Sequence, residues 1–287
     1  MADRARFGPA GVPPTFRLMA ATLADVPKLL REEGLDAFEY QAVRWGAKPQ
    51  IKRVDAEKLG LIAREKDVLI SLHGSYFMNF CGNEEIMKAS IQRLIACVTA
   101  AEWMKAYIVV FHPGFYGERP RIEMFSNCLE GLKEVANTME IFGIKNVKIG
   151  PETMGKPSQL GSLDEILSLC EEIEQAQPAI DWGHLHARNM GRFKTVDDFR
   201  RVIQEIERRL GSEAVKGLHC HFTKVEFTDK GERRHRILGD VKHGPEFEML
   251  AKVIAEFKLR PTIISESPVL DLDALKMRDI LQKELSS

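Results

Sequence analysis

The chain has 287 residues, 44% of them apolar and 29% charged, and its acidic and basic side chains almost cancel to a formal charge of −1. That is enough apolar material for one large domain or two ordinary ones, at about 100–200 residues per domain. The balance excludes a global electrostatic pull toward nucleic acid, which would have to act through a local basic patch, and no run approaches the roughly 20 apolar residues that span a bilayer.

The opening residues, Met1 to Phe7, have no apolar core of a signal peptide behind their charges, so a cytoplasmic protein without membrane contact is expected. Five cysteines, with no C-x-x-C pair, argue against both a disulfide framework and a zinc ribbon.

In chain order, apolar runs of strand length recur at Ala5–Gly11, Ala37–Gln41, Val68–His73, Ala106–His112, Val147–Glu152, Pro178–Asp181, Val215–His221 and Thr262–Glu266. Between them the spacing predicts helices. Glu84–Met104 carries Ile86, Ile91, Leu94, Ile95 and Val98 at near-helical intervals, and Ile122–Phe142, Ser162–Glu174, Thr195–Leu210, Pro245–Phe257 and Asp273–Leu285 follow. Ser162 before Glu165 and Thr195 before Asp198 mark helix entries. Strict β–α alternation closes either as an open doubly wound sheet or as a barrel, and eight repeats in this length favour an α/β fold with a single (β/α)8 TIM barrel. No Pro- or Ser-rich linker interrupts it, so residues 1–287 are expected to form one domain. Gly8-Pro9-Ala10-Gly11 lacks the G-x-G-x-x-G spacing and no phosphate-loop motif occurs, so no nucleotide cofactor is expected.

The chemistry lies at the strand ends. His73, His112, Glu152, Asp181, His221 and Glu266 close six consecutive strands, and in such a barrel the carboxyl-terminal ends of the strands form the functional rim. Carboxylates crowded there repel one another unless cations neutralise them, and imidazole with carboxylate suits zinc or manganese. His184 and His186 follow strand six. His186 is read as a hydrogen-bonded or supporting residue, His219 as packed deeper in the barrel, and His243 as an exposed loop residue. The charged run Phe222–Lys242 reads as a solvated loop or, if it lies on the functional face, as a phosphate-holding surface to which Arg119 and Arg121 would add.

In their local settings these residues resemble endonuclease IV, the zinc-dependent apurinic/apyrimidinic endonuclease family of the xylose isomerase-like TIM-barrel superfamily. The matching stretches are Leu72-His73-Gly74-Ser75-Tyr76, Val110-Phe111-His112-Pro113-Gly114, Pro151-Glu152-Thr153 with Leu160-Gly161-Ser162, Ile180-Asp181-Trp182-Gly183-His184, Cys220-His221-Phe222, Arg234-His235 and Ser265-Glu266-Ser267-Pro268. The resemblance implies that a multi-metal-activated hydroxide cleaves the phosphodiester 5′ to an abasic site in duplex DNA, in base excision repair, by a monomeric enzyme. It implies two or three zinc ions, with manganese or iron also suited to the ligand types. His73, His112 and Glu152 would hold the first. Glu152, which is also the catalytic residue, would bridge to a second held by Asp181, His221 and Glu266.

A third ion would take His184 and His235. The family's remaining carboxylate, two residues before the last histidine, is replaced here by Arg233. Three outcomes stay open: Asp229 or Glu232 reaches in, water or substrate phosphate completes the set, or the third ion is weakly held or absent. Tyr76 matches the aromatic that enters the DNA helix, and Arg233 and Arg234 are expected to contact phosphate. The runner-up is a metal-dependent sugar isomerase or epimerase of the same superfamily, which does not need His73, His112, His184 and His235. A non-catalytic nucleic-acid-binding barrel is the third reading.

Overall fold

The computed structural model describes residues 4–19 and 22–286. Strands buried on both faces need parallel neighbours and a cover of helices. Among the described residues β1 (Arg6–Pro9), β2 (Ala37–Gln41), β3 (Leu69–His73), β4 (Ile108–Phe111), β5 (Lys148–Pro151), β6 (Ala179–Asp181), β7 (His219–Phe222) and β8 (Thr262–Ser265) meet that need. They pair in parallel as β2-β3-β4-β5 and β6-β7-β8-β1. Parallel bridges between Ala10 and Glu39 and between Glu152 and Ala179 join the two halves into a ring. The fold is the expected (β/α)8 barrel.

Register sets the rim. Gln41 lies beside His73, Phe111 beside Pro151 and Asp181 beside His221. His112, Glu152 and Glu266 each follow the last residue of their strand. Helices Val26–Glu33, Arg53–Glu65, Glu84–Met104, Arg121–Ile141, Leu163–Glu172, Val196–Leu210, Phe247–Glu256 and Asp271–Leu285 follow the strands in turn. The entry at Ser162 forms as expected: its N–H donates to Glu165 Oε2 at 2.9 Å and its hydroxyl accepts from the Glu165 N–H at 3.3 Å.

The structure departs from the sequence reading in five places. Helices Val26–Glu33 and Arg53–Glu65 are absent from the expected set. The second buries Ala56, Leu59, Gly60 and Ala63, a face too small in side chains to give a strong periodic signal. Gly60 makes the approach possible, since a Cβ there would stand 2.3 Å from the Met104 carbonyl oxygen. Strand β7 begins at His219 rather than Val215, because Ser212–Lys216 forms a short helix. Two stretches read as loops are ordered at the rim: Trp182–Arg188 is a helix, and Lys224–Thr228 with Gly231–Arg236 forms an antiparallel ribbon. The ribbon turns at Gly231, whose φ of +94° suits glycine, and buries Val225. No helix among the described residues is long and apolar enough to cross a membrane.

Candidate metal centre

Immediately past β5, Glu152 turns its carboxyl into the mouth of the barrel. Its Oε2 lies 3.1 Å from His112 Nε2 and 3.4 Å from His73 Nε2, while Oε1 lies 3.0 Å from His221 Nδ1 and 3.4 Å from His184 Nδ1. His221 Nδ1 is also 3.4 Å from Glu266 Oε1. In each of the sets His73, His112, Glu152 and Glu152, Asp181, His221, Glu266, the possible ligand atoms lie within 4.8 Å of one another. Asp181 ends β6 and caps the helix that follows. Its Oδ1 accepts the His184 N–H at 2.6 Å, while its Oδ2 is buried with no hydrogen-bond partner.

Backbone carbonyls orient three of the imidazoles. His73 Nδ1 lies 3.0 Å from the Gly74 carbonyl oxygen, His184 Nδ1 2.9 Å from that of Thr153, and His235 Nδ1 3.0 Å from that of Glu266. A carbonyl only accepts, so each Nδ1 carries a hydrogen, and in the neutral ring Nε2 is the atom whose lone pair faces the site. His221 is turned the other way. Its Nδ1 faces the rim carboxylates and its Nε2 points inward, 3.2 Å from Glu39 Oε2.

The ribbon supplies a third set and answers the question raised by Arg233. Glu226 pairs with Arg234 but the next residue, Phe227, pairs with Glu232, so Arg233 is an extra residue bulged out of the ladder. In a regular strand residues three apart point to opposite faces. The bulge restores a common face to Glu232 and His235. Glu232 then lies with Oε2 3.5 Å from His184 Nε2 and Oε1 3.5 Å from His235 Nε2. Arg233 is 65% exposed and bonded to Glu226 at 2.7 Å. Of the alternatives the sequence leaves open, Glu232 is the carboxylate that reaches in, and Asp229 is not in the set.

The electrostatics are those of a carboxylate cluster awaiting positive charge. Burial pushes the Glu152 carboxyl up, but His221 and His112 outweigh it and hold its pKa well below the usual range. Burial raises Glu266, helped by Glu152 and Asp181 and opposed by His221. For His184 and His221 burial works against charge, yet Asp181 beside the first and Glu39 with Glu266 beside the second raise them well above an ordinary imidazole. Glu232, opposed by burial and favoured by His184, is lowered to about 2. The donor set itself fits a metal: His73 Nε2, Glu152 Oε2 and Asp181 Oδ2 are buried polar atoms without a hydrogen-bond partner, all aimed into the same space.

Other expected residues fall as follows. Tyr76, 51% exposed, stacks on His112 with ring centres 5.1 Å apart. Arg234 is exposed on the ribbon, beside Glu226 in register. Arg119 and Arg121 are not free to face a ligand, because Arg119 donates to the Cys81 and Gly82 carbonyls at 2.9 and 2.8 Å and Arg121 lies over the Tyr116 ring and reaches the Pro157 carbonyl. His186 is buried against Phe227 and belongs to none of the ligand sets. His219 lies deep in the barrel, as expected. His243 is partly buried rather than exposed, bonded through Nδ1 to Asp240 at 3.0 Å. Glu39 escaped the sequence reading, and Glu232 was one of the alternatives it left open. An acid inside the apolar run Ala37–Gln41 is the signal that would have found Glu39.

The chain is a parallel (β/α)8 barrel whose rim gathers imidazoles and carboxylates into contiguous groups that could hold metal ions. The chain belongs to the xylose isomerase-like TIM-barrel family, whose model matches residues 27–284. It is 31% identical over 270 residues to an uncharacterized protein of Methanocaldococcus jannaschii, covering 94% of each chain. It is 26% identical over 218 residues to a probable endonuclease 4 of Persephonella marina, covering 72% of this chain and 74% of that one. Among solved structures it is similar to endonuclease IV from Thermus thermophilus, with a TM-score of 0.69 at 18% identity over 91% of this chain and 94% of that one. A D-tagatose 3-epimerase-like protein is similar with a TM-score of 0.67 at 20% identity, over 92% and 95%.

Proposed function

We propose that residues 1–287 form one nuclease domain of the endonuclease IV type, which hydrolyses the DNA phosphodiester 5′ to an abasic site in base excision repair. The observation that carries this reading is the third set, His184 with Glu232 and His235, beside the two sets that share Glu152. Chemistry on a free sugar needs one metal and would leave that set without a purpose.

Under this reading His73, His112 and Glu152 hold one ion, Glu152, Asp181, His221 and Glu266 a second, and His184, Glu232 and His235 a third. Zinc suits these ligands best, and manganese or iron also fits. Ions bound there supply a hydroxide nucleophile at neutral pH and neutralise charge on the phosphoryl and leaving oxygens. The chain's own residues do the rest. Glu152 stays ionised and keeps two ligand sets at a fixed separation. Backbone carbonyls hold the Nε2 atoms of His73, His184 and His235 toward the site, and Tyr76 offers an open aromatic face over His112 to a displaced base or sugar. Exposed Arg234, with Arg233 beside it, faces the medium from which a phosphate backbone would approach.

The test is a duplex with a single abasic site, offered to protein of measured metal content. The expected product is a nick on the 5′ side of the lesion, lost on chelation and in Glu152→Gln. Fully metallated protein that leaves the duplex whole would overturn the reading. A sugar isomerase or epimerase, favoured by the set Glu152, Asp181, His221 and Glu266 taken alone, would carry one ion per chain and interconvert free ketoses. A binding module would retain abasic DNA without cutting it.

A further inference from the structure

We propose that Glu39 is a positioning residue, accepting the Nε2 hydrogen of His221 from inside the barrel and so fixing Nδ1 as the ring atom presented to the rim. The proposal rests on the reading above in one respect: it takes His221 to be a metal ligand.

Barrel interiors are filled chiefly by layers of branched apolar side chains. The layer beneath this rim is polar instead, with Glu39 on β2, Ser71 on β3 and His219 with His221 on β7 all buried. Glu39 Oε2 lies 2.9 Å from Ser71 Oγ, 3.2 Å from His221 Nε2 and 3.3 Å from His219 Nε2, and Oε1 lies 3.2 Å from Gln41 Nε2. An ionised carboxylate so placed persists only if donors surround it. Ser71 and Gln41 donate. The two Nε2 atoms are themselves 3.2 Å apart, and both rings meet the carboxylate favourably when each directs its Nε2 hydrogen at Glu39 Oε2 and not at the other ring.

Unlike those of His73, His184 and His235, the Nδ1 of His221 has no backbone carbonyl to hold a proton. It faces Glu152 and Glu266 instead. A metal takes only the ring nitrogen that lacks hydrogen, and the partner of the other nitrogen decides which that is. His219, two residues back on β7 and on the same face, braces the arrangement. Its Nδ1 is 2.6 Å from the Tyr107 hydroxyl, which holds the ring with Nε2 toward Glu39. Glu39 therefore does from below what the Gly74, Thr153 and Glu266 carbonyls do for His73, His184 and His235.

Zinc-loaded full chain with 15N-labelled imidazoles reports the protonation of each ring nitrogen, the His221 signals being assigned by their loss in His221→Asn. Chelator competition gives zinc affinity for wild type, Glu39→Gln and Glu39→Leu. The expected result is His221 bound through Nδ1 with Nε2 protonated, a roughly 10–100-fold loss of affinity for one zinc equivalent in Glu39→Leu, and a smaller loss in Glu39→Gln, whose amide oxygen still accepts. Wild-type protein that takes up no zinc overturns the metal reading itself. Protein that binds zinc but holds His221 through Nε2, or Glu39→Leu that binds as tightly as wild type, overturns the role of Glu39 and leaves the metal reading standing. A zinc-edge anomalous peak between Glu39 and His219 overturns it equally, since His221 Nε2 would then be a ligand and not a donor.

Discussion

The Asp181 carboxylate binds the His184 backbone: Oδ1 accepts its N–H at 2.6 Å while Oδ2, without a partner, faces Glu152 and the rim. The residue that closes β6 thus starts a helix and sets the direction of the next ligand. Asp181→Asn keeps an acceptor for the cap and loses the charge, so apo-protein stability should hold while zinc content falls by one equivalent. Asp181→Ala should lose both, with about 1 kcal/mol of stability gone with the cap. Thermal melts of chelated protein, read beside zinc content, separate the two effects, and unchanged zinc in Asp181→Asn would rule out a ligand role.

The bulge at Arg233 makes a prediction about spacing. Glu232→Gln should remove one zinc equivalent, and adding Arg233→Asp to it should not restore the loss, because position 233 faces Glu226. Deleting Arg233 should preserve all the zinc, since a regular strand places residues two apart on one face. Zinc analysis of the three variants decides it, and rescue by Arg233→Asp would mean the bulge does not govern the ligand set.

Stability without metal should fall as pH rises. His184 and His221 have folded pKa values well above 6.5. Between 6.5 and those values the folded protein binds more protons than the unfolded chain, so their contribution is complete below 6.5 and lost on the alkaline side. Chelated protein should therefore melt progressively lower as pH rises above about 6.5 while zinc-loaded protein does not. A flat or rising midpoint for the chelated form would contradict the balance of charge described for the rim.

His186 gives the opposite slope. Its burial lowers its pKa to about 4. It is neutral when folded, so stability is complete above 6.5 and is lost as pH falls from 6.5 toward 4, by at most about 3 kcal/mol. His186→Leu should reduce acid destabilisation in that window and leave zinc content unchanged. A loss of zinc would instead make His186 a ligand.

Under the proposed function Tyr76, exposed and stacked on His112, would act on substrate rather than on metal. Tyr76→Ala should keep every zinc equivalent yet bind an abasic duplex about tenfold more weakly, a lost stacking contact being worth about 1–3 kcal/mol. Fluorescence anisotropy with abasic and intact duplexes measures this, and equal affinity of the two proteins for the abasic duplex would remove Tyr76 from the DNA surface.

The barrel was legible because its signal is repetitive: eight apolar runs, all but the first ending in a polar residue, survive errors in any one of them. Helix Arg53–Glu65 was not, because close packing there uses Ala and Gly, whose small side chains weaken the periodic pattern. Six strand-end ligand candidates could be read from position alone. Glu39 sits one layer below the strand ends, where only an acid inside the apolar run Ala37–Gln41 marks an inward position as polar. Glu232 was open among alternatives because a bulge changes which residues share a face, and no residue type announces it.

The ribbon that carries Glu232 and His235 has consequences for how long each ion would stay. Glu152, Asp181 and His221 are fixed on or next to barrel strands, and displacing them means unzipping parallel ladders. The ribbon strands pair with each other and with no barrel strand, resting on the rim through the Glu232–Gly155 and His235–Glu266 contacts and the side chains of Val225 and Phe227, and a two-stranded hairpin is marginal by itself. An ion seated there would exchange with the medium at the pace of hairpin opening, while the pair around Glu152 would be retained as long as the barrel is closed. Scarcity of metal would therefore empty one seat first, and the molecule would pass through a two-ion form on its way to either extreme.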